Sequence, residues 1–277
     1  VSGALLVMQY SELAPSPHLA EFIKCFWSIE DEGSAAASPE PVVPDGCLEL
    51  IFNLADRFQR IHAADIIETQ PITIVAGQMR RSVLIMPTGR ISLFGIRFQH
   101  AGAFPFFQFS LSELTDRIES IDTVWGADGC EIEERICTAV TFMERVAIVE
   151  SIFTTRLISN KQFDTSIIEA ARLIVGKDGI LPIRQVAELI GISERRLERE
   201  FKQKIGVSPK LFSRIIRFQK LLKSLEGGGA AGLLDKALAF GYYDQAHMVH
   251  EFKEFAGKSP TTFIDDAHRI SEAFTGN

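Results

Sequence analysis

A repeated motif in the C-terminal third of the chain constrains its fold more than any other sequence feature. The first copy, Gly191–Pro209, reads GISERRLEREFKQKIGVSP, and the second, Gly241–Pro260, reads GYYDQAHMVHEFKEFAGKSP. Each copy places a glycine turn before a polar helix start, followed by Phe-Lys, Gly and Ser-Pro in the same order. We interpret this repeat as an internal duplication of one helical unit.

Local signals predict that each copy contains the second of two helices joined by a tight turn. Gly191 and Gly241 permit the turn because glycine adopts backbone conformations that other residues avoid. Ser193 and Asp244 follow them, and both are residue types that cap a helix N-terminus. The helices that these caps begin are predicted at about 193–205 and 244–255. Two helices joined in this way are typical of the helix-turn-helix units that bind DNA.

The rest of the C-terminal third also predicts helices. Pro182 and Pro209 stand where helices begin, since a proline lacks only a backbone N–H that the first turn leaves unpaired. The glycine-rich segment EGGGAAG (226–232) ends the helix that Pro209 begins. The predicted helices are Ser166–Val175, 183–191, Pro209–Leu225, Leu233–Phe240 and Pro260–His268.

Each predicted unit has an inner face that packs and an outer face that could enter the major groove. The small residues Ala187 and Ala237 let the paired helices approach each other, while Leu197 and Phe201, or Met248 and Phe252, anchor the second helix. Arginine can read guanine edges and glutamine can read adenine. The predicted DNA contacts are Ser193, Glu194, Arg195, Arg196, Glu198, Arg199 and Lys202 in the first copy, and Asp244, Gln245, Ala246, His247, Val249, His250 and Lys253 in the second.

The distribution of charge also favours a nucleic-acid partner. The net charge of the chain is −7, which by itself argues against one. However, residues 184–223 contain 11 Lys and Arg against 4 Asp and Glu, whereas residues 1–160 contain 11 against 21. A basic block within an acidic protein is expected of an element that contacts DNA phosphates.

Residues 166–266 resemble the DNA-binding region of the AraC/XylS family of bacterial transcription regulators, and GYYDQAHMVHEFKEFAGKSP matches the signature of its second motif. The resemblance implies a sequence-specific DNA-binding regulator in which one connecting helix, here Pro209–Leu225, joins two helix-turn-helix subdomains. These would contact successive major-groove segments about one helical turn apart. The resemblance also assigns base reading to Arg195 and Arg199 in the first unit, and to Gln245, Ala246 and His250 in the second.

Two positions depart from the family pattern. His250 stands where the family usually has Arg, and Lys236 stands where it usually has a buried aliphatic residue. Because burying an unpaired ammonium group is costly, Lys236 must extend its amine to a partner or to solvent, or the helix must shift.

The first 130 residues predict a small domain in which strands dominate. Short segments rich in Ile, Val and Phe are separated by turn residues. A helix is predicted over Pro17–Trp27, where Leu19, Phe22, Ile23 and Phe26 share one helical face. The predicted strands are Cys47–Leu54, Phe58–Ile61, Ile72–Ala76, Val83–Met86 and Ile91–Phe98.

The predicted fold class of the whole chain is therefore α+β. A β-rich, barrel- or sandwich-like domain with flanking helices precedes an all-α double helix-turn-helix domain. The predicted divisions are 1–130 for a sensing domain, 131–160 for a helical segment and 161–277 for the DNA-binding domain. Apolar residues at three- and four-residue steps predict one or two amphipathic helices in 131–160, which serve either packing or dimerisation.

The N-terminal region also resembles the uncharacterised domain that often precedes an AraC-type region. The resemblance rests on Phe26-Trp27, PDGCLELIFNL (44–54), Gly77-Gln78 and FGIRFQHAGAFPFF (94–107). Such a domain is assumed to sense a signal or to mediate association, which makes a small-molecule effector, RNA polymerase and a second copy of the chain candidate partners beside double-stranded DNA. The candidate effector-binding residues are Asp45, Glu49, Gln78 and Arg97, with turn or salt-bridge roles as the alternative.

Two other functional classes are weighed against a DNA-binding regulator. A protein–protein adaptor could retain degenerate helix-turn-helix copies, but the Phe-Lys pairs of both copies argue against such decay. An enzyme domain fused to a regulator would need a metal or nucleophile site, and His18, His62 and His100 show no ligand spacing. We therefore predict no enzyme activity, no metal and no cofactor.

Composition predicts a cytoplasmic protein. No apolar run approaches the roughly 18 residues of a membrane helix, and the start VSGALLVMQY has no basic flank or cleavage pattern of a secretory signal. The four cysteines show no metal-ligand spacing, so they are predicted to be buried, reduced thiols. They are Cys25, Cys47, Cys130 and Cys137.

Overall fold

The computed structural model of the chain describes residues 8–32, 38–62, 66–159, 164–226 and 233–265. Strands dominate the N-terminal part and helices the remainder, which confirms the predicted α+β class and the order of the two parts. The strands are β1 Gln9–Leu13, β2 Ile23–Asp31, β3 Glu40–Val42, β4 Glu49–Asn53, β5 Gln59–Ile61, β6 Ile67–Thr69, β7 Thr73–Ala76, β8 Val83–Met86, β9 Ile91–Phe98 and β10 Ile118–Ser120.

These strands form two antiparallel sheets. Within the described residues, the larger sheet has the order β1-β2-β9-β4-β7-β10 and the smaller has the order β3-β8-β5-β6. In the larger sheet, β9 pairs with both β2 and β4, so that Gly95 lies opposite Trp27 on one side and Ile51 on the other. The predicted strands Val83–Met86 and Ile91–Phe98 have the observed boundaries, and the other three predicted strands are one to three residues too long.

The central strands of the larger sheet bury both of their faces. On β2, Trp27 packs into a core between the two sheets, whereas Phe26 packs into a second core on the helical side. On β9, Leu93 and Phe94 divide in the same way, as the two-residue period of a strand requires. The larger sheet therefore separates two apolar cores.

The ten α-helices of the described residues follow in chain order. They are α1 Ile121–Trp125, α2 Ala127–Thr138, α3 Phe142–Ser159, α4 Ser166–Gly176, α5 Ile183–Ile190, α6 Glu194–Ile205, α7 Pro209–Glu226, α8 Leu233–Ala239, α9 Gln245–Ala256 and α10 Pro260–Asp265. The core on the helical side of the larger sheet continues without a break from α1–α3 through α4–α6 to Phe212 and Ile216 of α7. The first helix-turn-helix unit thus shares its core with the N-terminal domain.

The predicted helix boundaries of the C-terminal third agree with the structure to within one or two residues where it is described. Capping residues and glycines are local signals, which explains this agreement. The joint at 160–163, the connector at 227–232 and the predicted end of the last helix at 266–268 lie outside the described residues.

One N-terminal prediction is wrong. Residues 23–27 of the predicted helix Pro17–Trp27 belong to β2, and only turns precede them. The prediction of one or two amphipathic helices over 131–160 agrees with the structure, which has two separate helices, α2 and α3, joined at residues 139–141. Val140 and Met143 are 82% and 59% exposed at this junction, while Val146 and Val149 are buried instead.

The thiols are divided rather than uniformly buried. Cys25 and Cys47 are buried, but Cys130 and Cys137 on α2 are exposed, which corrects the prediction for that pair. All four are free thiols. Among the described helices, none combines the length and apolarity needed to cross a membrane.

The contact between Gly95 and Trp27 provides a test of the sheet packing. A methyl group on Gly95 would lie 2.1 Å from the Trp27 indole, which is fully buried and cannot move aside. We expect Gly95→Ala to lower the free energy of unfolding by about 1–3 kcal/mol, as overpacking does. Denaturant unfolding measures the change. The control is Gly176→Ala, whose methyl group would meet nothing within 4 Å, and equal stability of the two variants would contradict the prediction.

Candidate nucleic-acid interface

The two helix-turn-helix units have the same backbone construction. Gly191 and Gly241 both adopt positive φ angles, 75° and 74°, at the turns after α5 and α8. The next amide, Ile192 or Tyr242, donates a hydrogen bond to the carbonyl of the buried Ala187 or Ala237, at 3.0 and 2.9 Å. These repeated contacts support the duplication predicted from the sequence.

Side-chain caps begin the second helix of each unit. The Ser193 hydroxyl accepts a hydrogen bond from the Arg196 amide at 3.2 Å, and the Asp244 carboxylate accepts one from the His247 amide at 2.7 Å. Both capping side chains therefore stabilise the start of a helix, and both also belong to the predicted DNA contacts. The inner faces are buried as predicted, through Leu197, Phe201 and Ile205 in α6 and Met248, Phe252 and Phe255 in α9.

The outer face of α6 combines free and paired cations. Arg195 is exposed and has no ion-pair partner within the described part of the chain. Arg199 lies 2.9 Å from Glu200, and Lys202 lies 3.4 Å from Glu198 one turn earlier. Arg196 instead reaches back to Asp164 before α4, at 2.6 Å. The predicted contact Glu194 is also exposed at the start of this face.

The outer face of α9 is exposed but less basic. Gln245, Ala246, His250 and Lys253 are exposed as predicted, whereas Val249 is half-buried against the core of its own unit. His247 is exposed, and its imidazole ring packs edge-on against Tyr242 with centroids 5.5 Å apart. Fewer cations are thus available on α9 than on α6.

One exposed aromatic residue escaped the sequence analysis. Tyr243 is 87% exposed in the turn before α9. When Gly191 is matched to Gly241 and the cap Ser193 to the cap Asp244, the second turn is one residue longer, and Tyr243 is the added residue. The sequence signal that could have revealed Tyr243 is the spacing between the glycine and the cap, which differs between the two copies. An exposed aromatic ring beside a predicted recognition helix is suited to contact a sugar, base or neighbouring protein.

Buried ion pairs hold the second unit on the connecting helix α7. Glu251 of α9 is only 2% exposed and accepts hydrogen bonds from Arg214 at 2.7 Å and from Arg217 at 3.1 Å. The guanidinium group of Arg217 also covers the Tyr242 ring, with 4.7 Å to its centroid. This network fixes α9 against α7, and sequence analysis had not assigned Glu251 a role.

Lys236 does not disturb the second unit. Its amine reaches the carbonyl oxygen of Ser224 near the end of α7, at 3.0 Å. The side chain is half-buried, with its charge directed to a helix C-terminus, where a cation is favourable. The structure therefore accommodates a lysine at this position, because its ammonium group lies at the C-terminal end of α7.

The four predicted effector residues do not line a single site. Glu49 and Arg97 are opposite each other on β4 and β9 and form a buried ion pair at 2.6 Å. Burial raises the pKa of Glu49 to about 7, although the Arg97 charge opposes the rise. Gln78 donates to the Gly46 carbonyl at 2.8 Å, and Asp45 accepts from the Cys47 amide at 2.8 Å, so these two side chains support turns.

A small apolar cavity of about 80 Å³ lies between the two sheets. Of the predicted effector residues, only Glu49 lines it. Its wall also contains Asn53, whose side chain is buried and whose amide N and O have no hydrogen-bond partner in the described structure. Buried polar groups usually have partners, so the unpaired amide is a polar group that a molecule in this cavity could hydrogen-bond. No group of three or more His, Cys, Asp or Glu side chains suited to a metal occurs among the described residues.

Comparisons with known families identify two domains in the chain. Residues 186–266 match a helix-turn-helix domain, and residues 11–120 match a domain of unknown function (DUF6597). The first match contains both recognition helices α6 and α9. No curated protein sequence is significantly similar to this chain.

Solved structures of ToxT from Vibrio cholerae match this chain over most of its length. One ToxT structure matches with a TM-score of 0.48 and 9% identity over 94% of this chain and 97% of ToxT. Another, bound to (E)-4-(8-methylnaphthalen-1-yl)but-3-enoic acid, has a TM-score of 0.47 and 9% identity over 94% and 98% of the two chains. A third, bound to an unsaturated fatty acid, has a TM-score of 0.43 and 10% identity over 95% and 96%. Similarity at this level transfers neither a ligand nor a mechanism.

The buried ion pairs of Glu251 yield a prediction about stability. Glu251→Gln removes the charge that neutralises Arg217 and that shares Arg214 with Glu254, and loss of one partner from a buried ion pair costs about 3–5 kcal/mol. We expect faster amide hydrogen exchange in α9 than in the unmodified protein, with α3 unchanged.

The matched control is Glu188→Gln, which removes the partner of Arg184 from an exposed pair on α5. Such pairs contribute about 0–1 kcal/mol, so exchange should change little. Equal exchange in α9 of the two variants would show that the Glu251 network does not hold the second unit.

Proposed function

We propose that this chain is a sequence-specific transcription regulator that reads DNA through α6 and α9, because residues 186–266 form a helix-turn-helix domain of the AraC type. The observation that supports this reading mode is the repeated geometry of the two units. Each has the same turn, a capped second helix and an exposed outer face. The connecting helix α7 contacts both, which suits placement in successive major-groove segments about one helical turn apart.

The two recognition helices would contribute differently to binding. Arg195 and Arg199 of α6 are exposed cations, and arginine can make bidentate hydrogen bonds to guanine. Gln245 and His250 of α9 offer hydrogen bonds with less fixed positive charge. The first unit would therefore supply most of the electrostatic affinity, while the second would mainly add sequence discrimination. Lys202 and Lys253 are exposed on the two helices and are suited to phosphate contacts.

The N-terminal domain would supply regulation. Its cavity between the sheets is apolar apart from a few polar side chains, including the unpaired Asn53 amide. We propose that an effector occupying it would be small and mainly apolar, with a group that hydrogen-bonds to this amide. RNA polymerase and a second copy of the chain remain predicted partners, and the proposed location is the cytoplasm. The predicted roles of Asp45, Gln78 and Arg97 in effector binding remain predictions.

A protein–protein adaptor is the competing function. An adaptor would not require the same exposed lysine, Lys202 or Lys253, on both recognition helices. A DNA selection separates the two functions: fragments enriched from a random pool by the purified protein should contain two short conserved segments about 10 bp apart. Failure to enrich any sequence at low salt would overturn the proposal.

Replacing the two predicted guanine-reading residues should weaken binding to the selected DNA. We expect Arg195→Ala with Arg199→Ala to lower affinity by about 30-fold or more, because each base contact is worth about 1–3 kcal/mol. The dependence of affinity on salt should also become shallower if either arginine contacts phosphate. Fluorescence anisotropy over a range of salt concentrations measures both effects.

The control for lost charge is Arg90→Ala with Arg135→Ala. Both arginines are exposed, on the N-terminal domain and on α2, and their removal changes the net charge equally. We expect less than about a twofold change at moderate salt, since distant exposed charges are screened. If this control lost as much affinity as the α6 variant, general charge rather than base reading would explain the effect.

The unpaired amide in the cavity yields a stability prediction. Asn53→Leu replaces a buried polar group without hydrogen bonds by an apolar group of similar size, so the free energy of unfolding should rise by about 1–2 kcal/mol. Asn53→Asp should lower it, because a charge is then buried at the same position. Chemical denaturation measures both variants. A destabilised Asn53→Leu protein would show that the amide has a structural partner, and the cavity would lose its main polar feature.

A further inference from the structure

The N-terminal domain contacts the C-terminal end of both recognition helices. At α6, the Thr115 hydroxyl donates a hydrogen bond to the carbonyl oxygen of Gly206, at 2.6 Å. At α9, the Ser82 amide donates one to the carbonyl oxygen of Phe255, at 2.8 Å. The last carbonyls of a helix have no partner within it, so in both cases the N-terminal domain satisfies an otherwise unpaired acceptor.

These contacts lie at the same end of the duplicated units, although the accepting residues Gly206 and Phe255 are two positions apart when the two copies are aligned. Gly206 and Gly257 end α6 and α9 and correspond to each other in the two sequence copies. Added methyl groups at these positions would lie 3.0 Å from the Leu111 carbonyl and 3.4 Å from the Ser82 hydroxyl. Both recognition helices therefore end against the same domain.

The two contacting segments are cross-linked within that domain. Arg80 donates from its backbone amide to one carboxylate oxygen of Asp116, at 2.8 Å, and from its guanidinium Nε to the other, at 2.6 Å. The Asp116 amide in turn donates to the Gln78 carbonyl, at 2.9 Å. We name these two segments, residues 77–82 and 115–117, the brace. Strand pairing between β7 and β10 continues directly from it.

The brace holds the helices without covering their reading faces. A recognition helix contacts base edges mainly through its N-terminal residues, whereas the brace contacts only C-terminal ends. The helix α7 also joins the same two helices, through Phe201–Phe212 packing and the Glu251 ion pairs. Two separate attachments, rather than α7 alone, therefore define how α6 and α9 lie relative to each other.

We infer that the brace fixes the relative position of α6 and α9, and that Thr115, Arg80 and Asp116 are positioning residues that determine which spacing between two DNA segments the protein accepts. This inference rests on the proposed function, since a spacing exists only if both helices enter DNA. Without the brace, the second unit can adjust more freely about α7. Sites with a changed spacing then become less unfavourable relative to the selected site.

The test compares two DNA duplexes: the selected site, and the same site with one base pair inserted between its two conserved segments. The inserted pair moves one segment by about 3.4 Å along the axis and rotates it. The wild-type protein should bind the selected duplex more tightly. In Thr115→Val with Arg80→Met, the ratio of the two affinities should fall by about 2- to 10-fold, the range expected for the loss of one or two net hydrogen bonds.

Two controls separate positioning from general damage. Thr155→Val with Arg135→Met removes an exposed hydroxyl contact on α3 and an exposed ion pair on α2, and the affinity ratio should stay at the wild-type value. Thr115→Ser keeps the hydroxyl donor and should also keep the wild-type ratio, while Thr115→Val alone lowers it. If the double variant is too unstable for the assay, the comparison of Thr115→Val with Thr115→Ser decides whether the brace sets the spacing.

The outcomes distinguish the two proposals. If the wild-type protein binds neither duplex, the proposed function fails, and the inference fails with it. If it binds the selected duplex and discriminates against the insertion, but Thr115→Val discriminates equally, the proposed function stands and the brace does not set the spacing. A lower ratio in Thr115→Val, with the base preferences within each segment unchanged, supports the inference.

Discussion

The packing of α7 against the N-terminal domain, α6 and α9 is the constraint on which the rest of this structure depends. Phe212 packs against the His100 ring of the N-terminal domain, with centroids 5.6 Å apart, and against Phe201 of α6, at 5.7 Å. Further along the helix, Phe218 packs against Phe252 of α9, at 5.1 Å. Each fully buried phenylalanine contributes about 1.5–3 kcal/mol relative to an exposed one. The same helix therefore stabilises both helix-turn-helix units and their attachment to the sheets, so the parts cannot be treated as independent.

Sequence signals that act over a few residues predicted the C-terminal third well. Caps at Ser193 and Asp244 and turns at Gly191 and Gly241 depend only on local backbone geometry, which the sequence specifies directly. The prediction over Pro17–Trp27 failed because β2 has apolar packing on both faces. Its first residues, IKCFW, therefore lack the simple alternation of a half-buried strand and resemble a helix in pattern. The strands β1, β3, β6 and β10 were missed because each has only three to five residues, too few to show a two-residue period of apolar side chains.

The candidate interface could be predicted in part. Exposure of Arg195, Gln245 and Lys253 follows from helical periodicity, since Leu197 and Phe252 define the buried faces. Ion-pair partners that are distant in sequence do not follow from this periodicity. Arg196 looked equivalent to Arg195 in sequence, yet it pairs with Asp164, which lies 32 positions away. Glu251 likewise looked like one of several acidic residues on α9, and only the path of α7 reveals that it is buried between two arginines.

The ion pairs of the two recognition helices divide into groups with different physical roles. On α6, the exposed pairs of Arg199 and Lys202 contribute about 0–1 kcal/mol each, so both cations can exchange their carboxylate partners for phosphate oxygens at little cost. The Glu251 network between α9 and α7 cannot exchange in this way, because separating it leaves the buried Glu251 carboxylate without solvent or a partner. The Glu251 network therefore holds α9 in place, whereas the weakness of the α6 pairs suits the proposed binding to DNA. A protein that must present two helices at a fixed spacing and still release their cations to DNA requires both kinds of pair, and here the duplicated units carry one kind each.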